Sequence, residues 1–167
     1  LKILFCEQNP RIISGCRLFF EDKNVNIMFC EKDGNLLLEK IEEYQPDVVF
    51  TDIFLAGIDA IEVKKQADLL DSKPQLFFAT CSFDNDETLR QVMNAGFNYY
   101  FLKPYSFEVA YERICDILDM KKEKLLKVLD EKIEAENNKR KMLGDDAFDP
   151  TRIMTLYEIR DFIEWKD

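Results

Sequence analysis

Five short apolar segments alternate with five amphipathic segments over the first 120 residues of this chain. Four of the apolar segments lack a polar face, which is typical of strands buried in a parallel sheet, and the second is more polar, as expected near a sheet edge. The alternation predicts an α/β fold with one five-stranded parallel sheet, helices on both faces and right-handed crossovers. The predicted strands are 2–6, 25–29, 47–52, 75–80 and 98–104.

Local signals predict where several helices begin and end. Asn9 followed by Pro10 is typical of a helix cap and first turn. Gln45-Pro46 is expected to end the second helix, and Gly96 to close the fourth. The fifth helix is expected to begin after Ser106.

The composition changes after Met120, so we predict a first domain over residues 1–120. Residues 121–143 contain no Pro or Gly, and the fifth helix is expected to continue through them as one long segment. Gly144-Asp145-Asp146 is expected to break it. Asp149-Pro150 then predicts a short amphipathic helix within a tail over 144–167.

The long segment after residue 120 has two interpretations. Its apolar residues lie at coiled-coil spacing for about two heptads, which favours a signalling helix that pairs with a second copy. A solvated single helix with ion pairs such as Glu123–Lys127 and Glu136–Arg140 is the alternative. The tail is too short for a DNA-binding domain, and it is either the start of an output region or a small helix docked on the dimer.

Composition excludes several classes of function. The chain has no histidine, which removes His-based nucleophile activation and imidazole zinc sites. Acids outnumber bases 33 to 23, which argues against a general nucleic-acid binder. The five cysteines lack CxxC spacing and are expected to be reduced in the cytoplasm. No apolar run is long enough for a membrane span, there is no signal-peptide pattern, and we expect residues to precede Leu1.

Polar residues follow four of the predicted strands, where functional groups gather in an open parallel sheet. Glu7 and Gln8 follow the first strand, and Asp52, Thr80 and Lys103 end the third, fourth and fifth. Clustered carboxylates are suited to Mg²⁺, while a lysine and a hydroxyl can bind phosphoryl oxygens. This set predicts phosphoryl transfer onto Asp52 from an external donor.

The same residues resemble a response regulator receiver domain of two-component signalling. The matching segments are 2–10, 44–53, 55–59, 79–80 and 95–104. Within the family, the receiver half is most similar to receivers of sporulation regulators, especially over 99–104. The resemblance implies a flavodoxin-like sheet of order 2-1-3-4-5 and phosphorylation by a sensor histidine kinase or phosphotransfer protein. It implies that Asp52 is the phosphoacceptor and that Lys103 and Thr80 sense the phosphoryl group. Tyr100 corresponds to a switching aromatic, with ordinary strand packing as the alternative.

For the metal, the resemblance implies Glu7, Asp52, the residue at Gln8 and the backbone carbonyl of Phe54 as ligands of Mg²⁺. The family carries two adjacent aspartates after the first strand, whereas this chain has Glu7 and Gln8. Gln8 offers a neutral oxygen in place of a charged one. We therefore expect a weakened Mg²⁺ site and impaired phosphorylation, in a loop further altered by Ala56 and Ala60.

Two non-catalytic functions stay open on the sequence. The first is a receiver that accepts phosphate on Asp52 or dimerises, or does both, to control a transcriptional output, with DNA contacted only through that output. The second is a pseudo-receiver that acts as a phosphate-independent dimerisation or interaction module. An enzyme is not expected, because Phe54 stands where a dehalogenase-type phosphatase needs a second acid and residues 7–10 form no phosphate cradle.

Overall fold

The computed structural model describes residues 1–83, 85–143 and 149–165. The strands form one parallel sheet in the order β2-β1-β3-β4-β5, which confirms the predicted flavodoxin-like architecture. The strands are β1 (Lys2–Cys6), β2 (Asn26–Cys30), β3 (Val48–Asp52), β4 (Leu76–Cys81) and β5 (Tyr99–Leu102). The helices are α1 (Pro10–Phe20), α2 (Gly34–Tyr44), α3 (Ala60–Ala67), α4 (Asp86–Asn94), α5 (Phe107–Leu143) and α6 (Pro150–Glu164).

An aromatic row crosses one face of the sheet. Phe5 pairs in register with Phe29 on one side and with Phe50 on the other, and the row continues through Phe78 to Tyr99. The ring centroids of Phe5 and Phe50 are 4.8 Å apart, and those of Phe50 and Phe78 are 4.9 Å apart. Burying a side chain of this size stabilises a fold by about 1.5–3 kcal/mol, so the row fixes the register of all five strands.

The opposite face of the sheet packs against α2, α3 and α4. Because strand residues alternate between faces, the neighbours of the aromatic row point to this side. They form one buried cluster with the apolar residues of the three helices. Its members include Leu4, Val49 and Phe77 from the sheet and Leu37, Val63 and Val92 from the helices. On the aromatic face, Phe20 of α1 and Phe107 of α5 pack against Phe5, so the sheet is covered on both faces.

The helix ends follow the predicted signals. Asn9 caps α1 through its side-chain oxygen, which accepts a hydrogen bond from the backbone N–H of Arg11. Gln45 follows α2 in the left-handed conformation, with φ 52°. Gly96 follows α4 with φ +86°, a conformation that glycine adopts without a Cβ clash. The fifth strand is shorter than predicted: it ends at Leu102, and although the Lys103 N–H still donates a hydrogen bond to the Cys81 carbonyl of β4, residues 103 and 104 form a bend.

The chain forms two compact units, Leu1–Ala110 and Tyr111–Asp167. Helix α5 begins in the first unit and continues without interruption to Leu143, as predicted. In the second unit, Arg160 of α6 forms an ion pair with Asp130 of α5, and Arg152 forms one with Glu136. The predicted helix break at 144–146 lies outside the described residues. None of the helices in the part of the chain described here has the length and apolar surface of a membrane span.

Candidate functional site

The carboxyl ends of β1, β3 and β5 bring three of the predicted residues together. Asp52 is the last residue of β3, Glu7 follows β1, and Lys103 follows β5. The Lys103 Nζ donates a hydrogen bond to Asp52 Oδ2 over 2.9 Å and lies 3.4 Å from Glu7 Oε2. Residues far apart in the sequence therefore form one polar pocket, which is the arrangement the strand ends predicted.

A second lysine in the pocket was not identified from the sequence. The Lys32 Nζ lies 3.0 Å from the same Asp52 Oδ2 and 3.5 Å from Glu7 Oε1. Lys32 follows β2, which is the neighbour of β1 in the sheet, so its position at this edge follows from the strand order. The signal was available in the sequence as a cation two residues after a strand that the implied order 2-1-3-4-5 places beside the first strand.

Two loops are joined in a way that holds Lys32 beside Asp52. The backbone carbonyl of Lys32 accepts a hydrogen bond from the Ala56 N–H over 3.0 Å, and the Ala56 carbonyl accepts one from the Gly34 N–H over 2.9 Å. A Cβ at Gly34 would lie 2.0 Å from the Ile58 carbonyl oxygen, so only glycine allows this approach. The loop after β2 is thereby fixed against the loop that follows Asp52.

Glu7 is a buried acid with four partners. Its Oε1 accepts hydrogen bonds from the backbone N–H groups of Gln8 and Asn9, each over 2.9 Å, and both of its oxygens face lysines. Gln8 itself is exposed. The structure thus places Glu7 inside the pocket, whereas Gln8 contributes through its backbone.

The carboxylates of the pocket are held in their charged form. Burial alone raises the pKa of Asp52, but the hydrogen bonds from Lys103 and Lys32 outweigh it and place the pKa below its ordinary value. Glu7 behaves in the same way: burial raises its pKa, but the hydrogen bond from the Asn9 N–H and the charges of the two lysines outweigh this effect and lower the pKa below its ordinary value. Burial lowers the pKa of Lys32, and the hydrogen bond to Asp52 reverses that effect and raises it.

Thr80 and Tyr100 lie at the same edge of the sheet, but they bind backbone atoms. Thr80 pairs in register with Asp52, and its buried hydroxyl donates a hydrogen bond to the Thr51 carbonyl over 3.3 Å. The Tyr100 hydroxyl donates one to the Phe83 carbonyl over 2.9 Å, in the loop after β4. Both hydroxyls therefore donate to backbone carbonyls.

The pocket residues, as placed, do not fit a Mg²⁺ site. Within the described ranges, no group of three or more acidic, cysteine or histidine side chains could hold a metal ion. Mg²⁺ prefers a near-octahedral shell of oxygens, and here two ammonium groups share Asp52 Oδ2 while Gln8 points to solvent. The charges of Glu7 and Asp52 are already balanced by those of Lys32 and Lys103.

Comparison with protein families matches residues 3–115 to the response regulator receiver domain. The sensory transduction protein LytT of Oceanobacillus iheyensis is 33% identical over 138 residues, which cover 75% of this chain and 55% of that protein. The transcriptional regulatory protein LiaR of Bacillus subtilis is 28% identical over 104 residues, covering 62% and 49%. The chain thus spans about half the length of these two curated relatives.

Solved structures show the same fold. The BeF3-activated N-terminal receiver domain of Klebsiella pneumoniae RstA aligns with a TM-score of 0.58 and 23% identity, over 68% of this chain and 95% of that one. A CheY-like receiver domain protein from Methanospirillum hungatei aligns with a TM-score of 0.63 and 20% identity, over 74% and 97%. The aligned part is therefore a receiver fold, with the helical extension outside it.

Proposed function

This chain belongs to the response regulator receiver family of two-component signalling, and on that premise we propose that Asp52 accepts a phosphoryl group and relays its arrival to an output. The observation that carries the proposal is the state of the Asp52 carboxylate. Its Oδ2 is held by Lys103 and Lys32, while its Oδ1 accepts no hydrogen bond from any residue that the structure describes. A charged carboxylate is suited to nucleophilic attack when one of its oxygens is held by cations and the other accepts no hydrogen bond.

The transfer itself needs little from the protein beyond position and charge. Asp52 Oδ1 attacks phosphorus and forms a new P–O bond, while the bond between phosphorus and the donor atom breaks and the donor leaves with the electron pair. A sensor histidine kinase or a phosphotransfer protein would supply the group from a phosphohistidine. The Lys103 ammonium, already 2.9 Å from the carboxylate, would bind an oxygen of the transferred group and offset its charge.

Thr80 and Tyr100 provide a route from the pocket to the surface. A phosphoryl group on Asp52 would offer its oxygens to the Thr80 hydroxyl, which would then exchange its bond to the Thr51 carbonyl for a charge-assisted one. That movement would shift the loop after β4, where the Phe83 carbonyl accepts the hydrogen bond of Tyr100. Tyr100 would report the change, in the role predicted for it as a switch.

We further propose that the output is reached through a homodimer. Helix α5 leaves several apolar side chains exposed beyond residue 119, namely Met120, Leu125 and Val128, and a second copy of this helix is the partner they fit. Relatives are named as transcriptional regulators, so DNA would be contacted by an output region and not by residues of this pocket. Location in the cytoplasm stays a prediction.

The test is direct labelling of the full chain with acetyl phosphate, followed by intact-mass analysis and peptide mapping. We expect one phosphoryl group on Asp52, lost in Asp52→Asn and retained in the matched control Asp130→Asn, whose carboxylate lies on α5. Sedimentation with and without the donor would then measure the dimer. Labelling that is absent, or equal in Asp52→Asn and the wild-type chain, contradicts the proposal.

The pseudo-receiver is the second candidate, and one observation favours it. The Thr80 hydroxyl, which would have to bind the phosphoryl group, already donates its hydrogen bond to the Thr51 carbonyl. In that case the chain would form the same dimer with and without the donor. An unchanged dimer together with unlabelled Asp52 would select this function over the first.

A further inference from the structure

The unusual feature of this pocket is a second fixed ammonium at the site where receiver domains generally bind a divalent cation. We propose that Lys32 takes the place of Mg²⁺ in this chain, so that Asp52 accepts a phosphoryl group without a metal. The proposal rests on the proposed function for its phosphoryl step. The assignment of Lys32 as the resident cation also has a readout that does not depend on that step.

The position of the Lys32 Nζ carries the first part of the argument. It lies 3.0 Å from Asp52 Oδ2 and 3.5 Å from Glu7 Oε1, and so bridges carboxylates from two different strands. Bridging two acids is the task of a hard cation in such a pocket. A metal bound to Asp52 Oδ2 would have to sit beside this ammonium, and the two like charges would repel each other.

The second part of the argument is that Lys32 is held in place by the backbone and is not a mobile surface lysine. Its carbonyl is tied to the Ala56 N–H, and Ala56 in turn is tied to Gly34. Asp33 fixes the next turn, because its side chain accepts hydrogen bonds from the N–H groups of Asn35 and Leu36. The Lys32 side chain is only 26% exposed, so it enters the pocket from a rigid loop.

Charge balance gives the third part. A pocket with three acids and one lysine carries a charge of −2, which a divalent ion neutralises before an anionic phosphoryl group can enter. This pocket has exchanged one acid for Gln8 and gained Lys32, so Glu7, Asp52 and the two lysines sum to zero. The loss of the acid and the gain of the cation compensate each other, and the metal has no remaining electrostatic role.

The first experiment measures the rate of Asp52 labelling by acetyl phosphate in EDTA and in Mg²⁺. We expect the wild-type chain to be labelled equally fast in both. Lys32→Met keeps an unbranched side chain one atom shorter than lysine and removes its charge. We expect this variant to be labelled about 100-fold more slowly in EDTA and to recover part of the loss in Mg²⁺. Lys40→Met, a lysine paired with Glu43 on the surface of α2, should match the wild-type chain.

The second experiment measures Mg²⁺ binding by calorimetry, with no phosphoryl donor present. We expect Lys32→Met to bind Mg²⁺ at least about tenfold more tightly than the wild-type chain or Lys40→Met, because the competing ammonium is gone. Equal binding by all three chains overturns the assignment of Lys32, whatever the labelling shows.

The two experiments separate the possible failures. Wild-type labelling that requires Mg²⁺ overturns metal independence and leaves the proposed function intact. No labelling of Asp52 under any condition refutes the proposed function and, with it, the phosphoryl step; tighter Mg²⁺ binding by Lys32→Met would then still support Lys32 as the resident cation.

Discussion

Charged side chains form clusters in two regions of this molecule, and the two clusters differ in how far their side chains are exposed to solvent. In the strand-end pocket, Glu7, Asp52, Lys32 and Lys103 lie at the carboxyl ends of four different strands, and their side chains are 9–26% exposed. In the helical hairpin of α5 and α6, the pair Asp130–Arg160 is 55% and 30% exposed. The pocket concentrates charge away from water, whereas this pair of the hairpin remains in contact with it.

The difference reflects what each region can gain from its charges. An exposed ion pair contributes only about 0–1 kcal/mol, because water already solvates both partners. Partly buried charges cost desolvation free energy, and a protein that keeps four of them together has the means to shift pKa values and bind anions. We therefore assign a chemical role to the charges of the pocket. The ion pairs between α5 and α6 serve only to align these two helices.

The largest expected difference concerns the rate of phosphoryl transfer. Lys103→Met should slow labelling of Asp52 by about 100-fold, because the transferred group loses a preorganised cation. Arg160→Met in the hairpin, which also removes one ion-paired cation, should stay within about twofold of the wild-type rate. Timed intact-mass analysis with acetyl phosphate measures both, and equal rates in the two variants would contradict the assignment of chemistry to the pocket.

The fold could be predicted almost completely from the sequence, because each of its signals is local. Buried strands such as Val48–Asp52 are apolar on both faces, and the helices carry caps such as Asn9 and terminators such as Gly96. The end of β5 was placed too late: β5 ends at Leu102, although the Lys103 N–H still donates a hydrogen bond to β4. The residue at which such a strand ends depends on backbone pairing with the neighbouring strand and not on composition.

The pocket could be predicted only in part. Asp52 and Lys103 meet because parallel strands end at one edge, and that rule needs no coordinates. Lys32 also follows a strand, but the loop-to-loop contact through Ala56 that holds it beside Asp52 is revealed by no periodicity. The metal ligands Gln8 and Phe54, together with the roles of Thr80 and Tyr100, stay predictions.

Glu136 gives a prediction on the hairpin side of the comparison. It is only 5% exposed and its Oε1 accepts ion pairs from Lys139 and Arg152, so it differs from its exposed neighbours. Glu136→Ala should raise amide exchange rates in α6 by about tenfold, or about 1.4 kcal/mol. Glu131→Ala, an exposed acid on the same helix, should leave these rates unchanged; faster exchange in both variants would remove the distinction.

The response to acid provides a further test of the pocket. Glu7 and Asp52 have pKa values below their ordinary 4.5 and 3.8, so their contribution to stability is present above those values and is lost as the pH falls through the lowered ones. Each group adds at most about 1.4 kcal/mol per pH unit to the slope in that window. Glu7→Gln should show a weaker dependence of the free energy of unfolding on pH below about pH 4.5, measured by urea unfolding at a series of pH values. An unchanged pH dependence would show that the pocket does not hold Glu7 ionised.

The smallest effect is expected for the pair Asp130–Arg160, although its 2.7 Å separation is shorter than any ion pair in the pocket. A double-mutant cycle with Asp130→Asn and Arg160→Met should give a coupling of about 0.5 kcal/mol that disappears at high salt. The cycle with Asp52→Asn and Lys32→Met should give a larger coupling that salt screens less, because these side chains are less exposed. Burial, and not the distance between the charges, would then determine the coupling free energy of an ion pair in this protein. Equal couplings in the two cycles would contradict that conclusion.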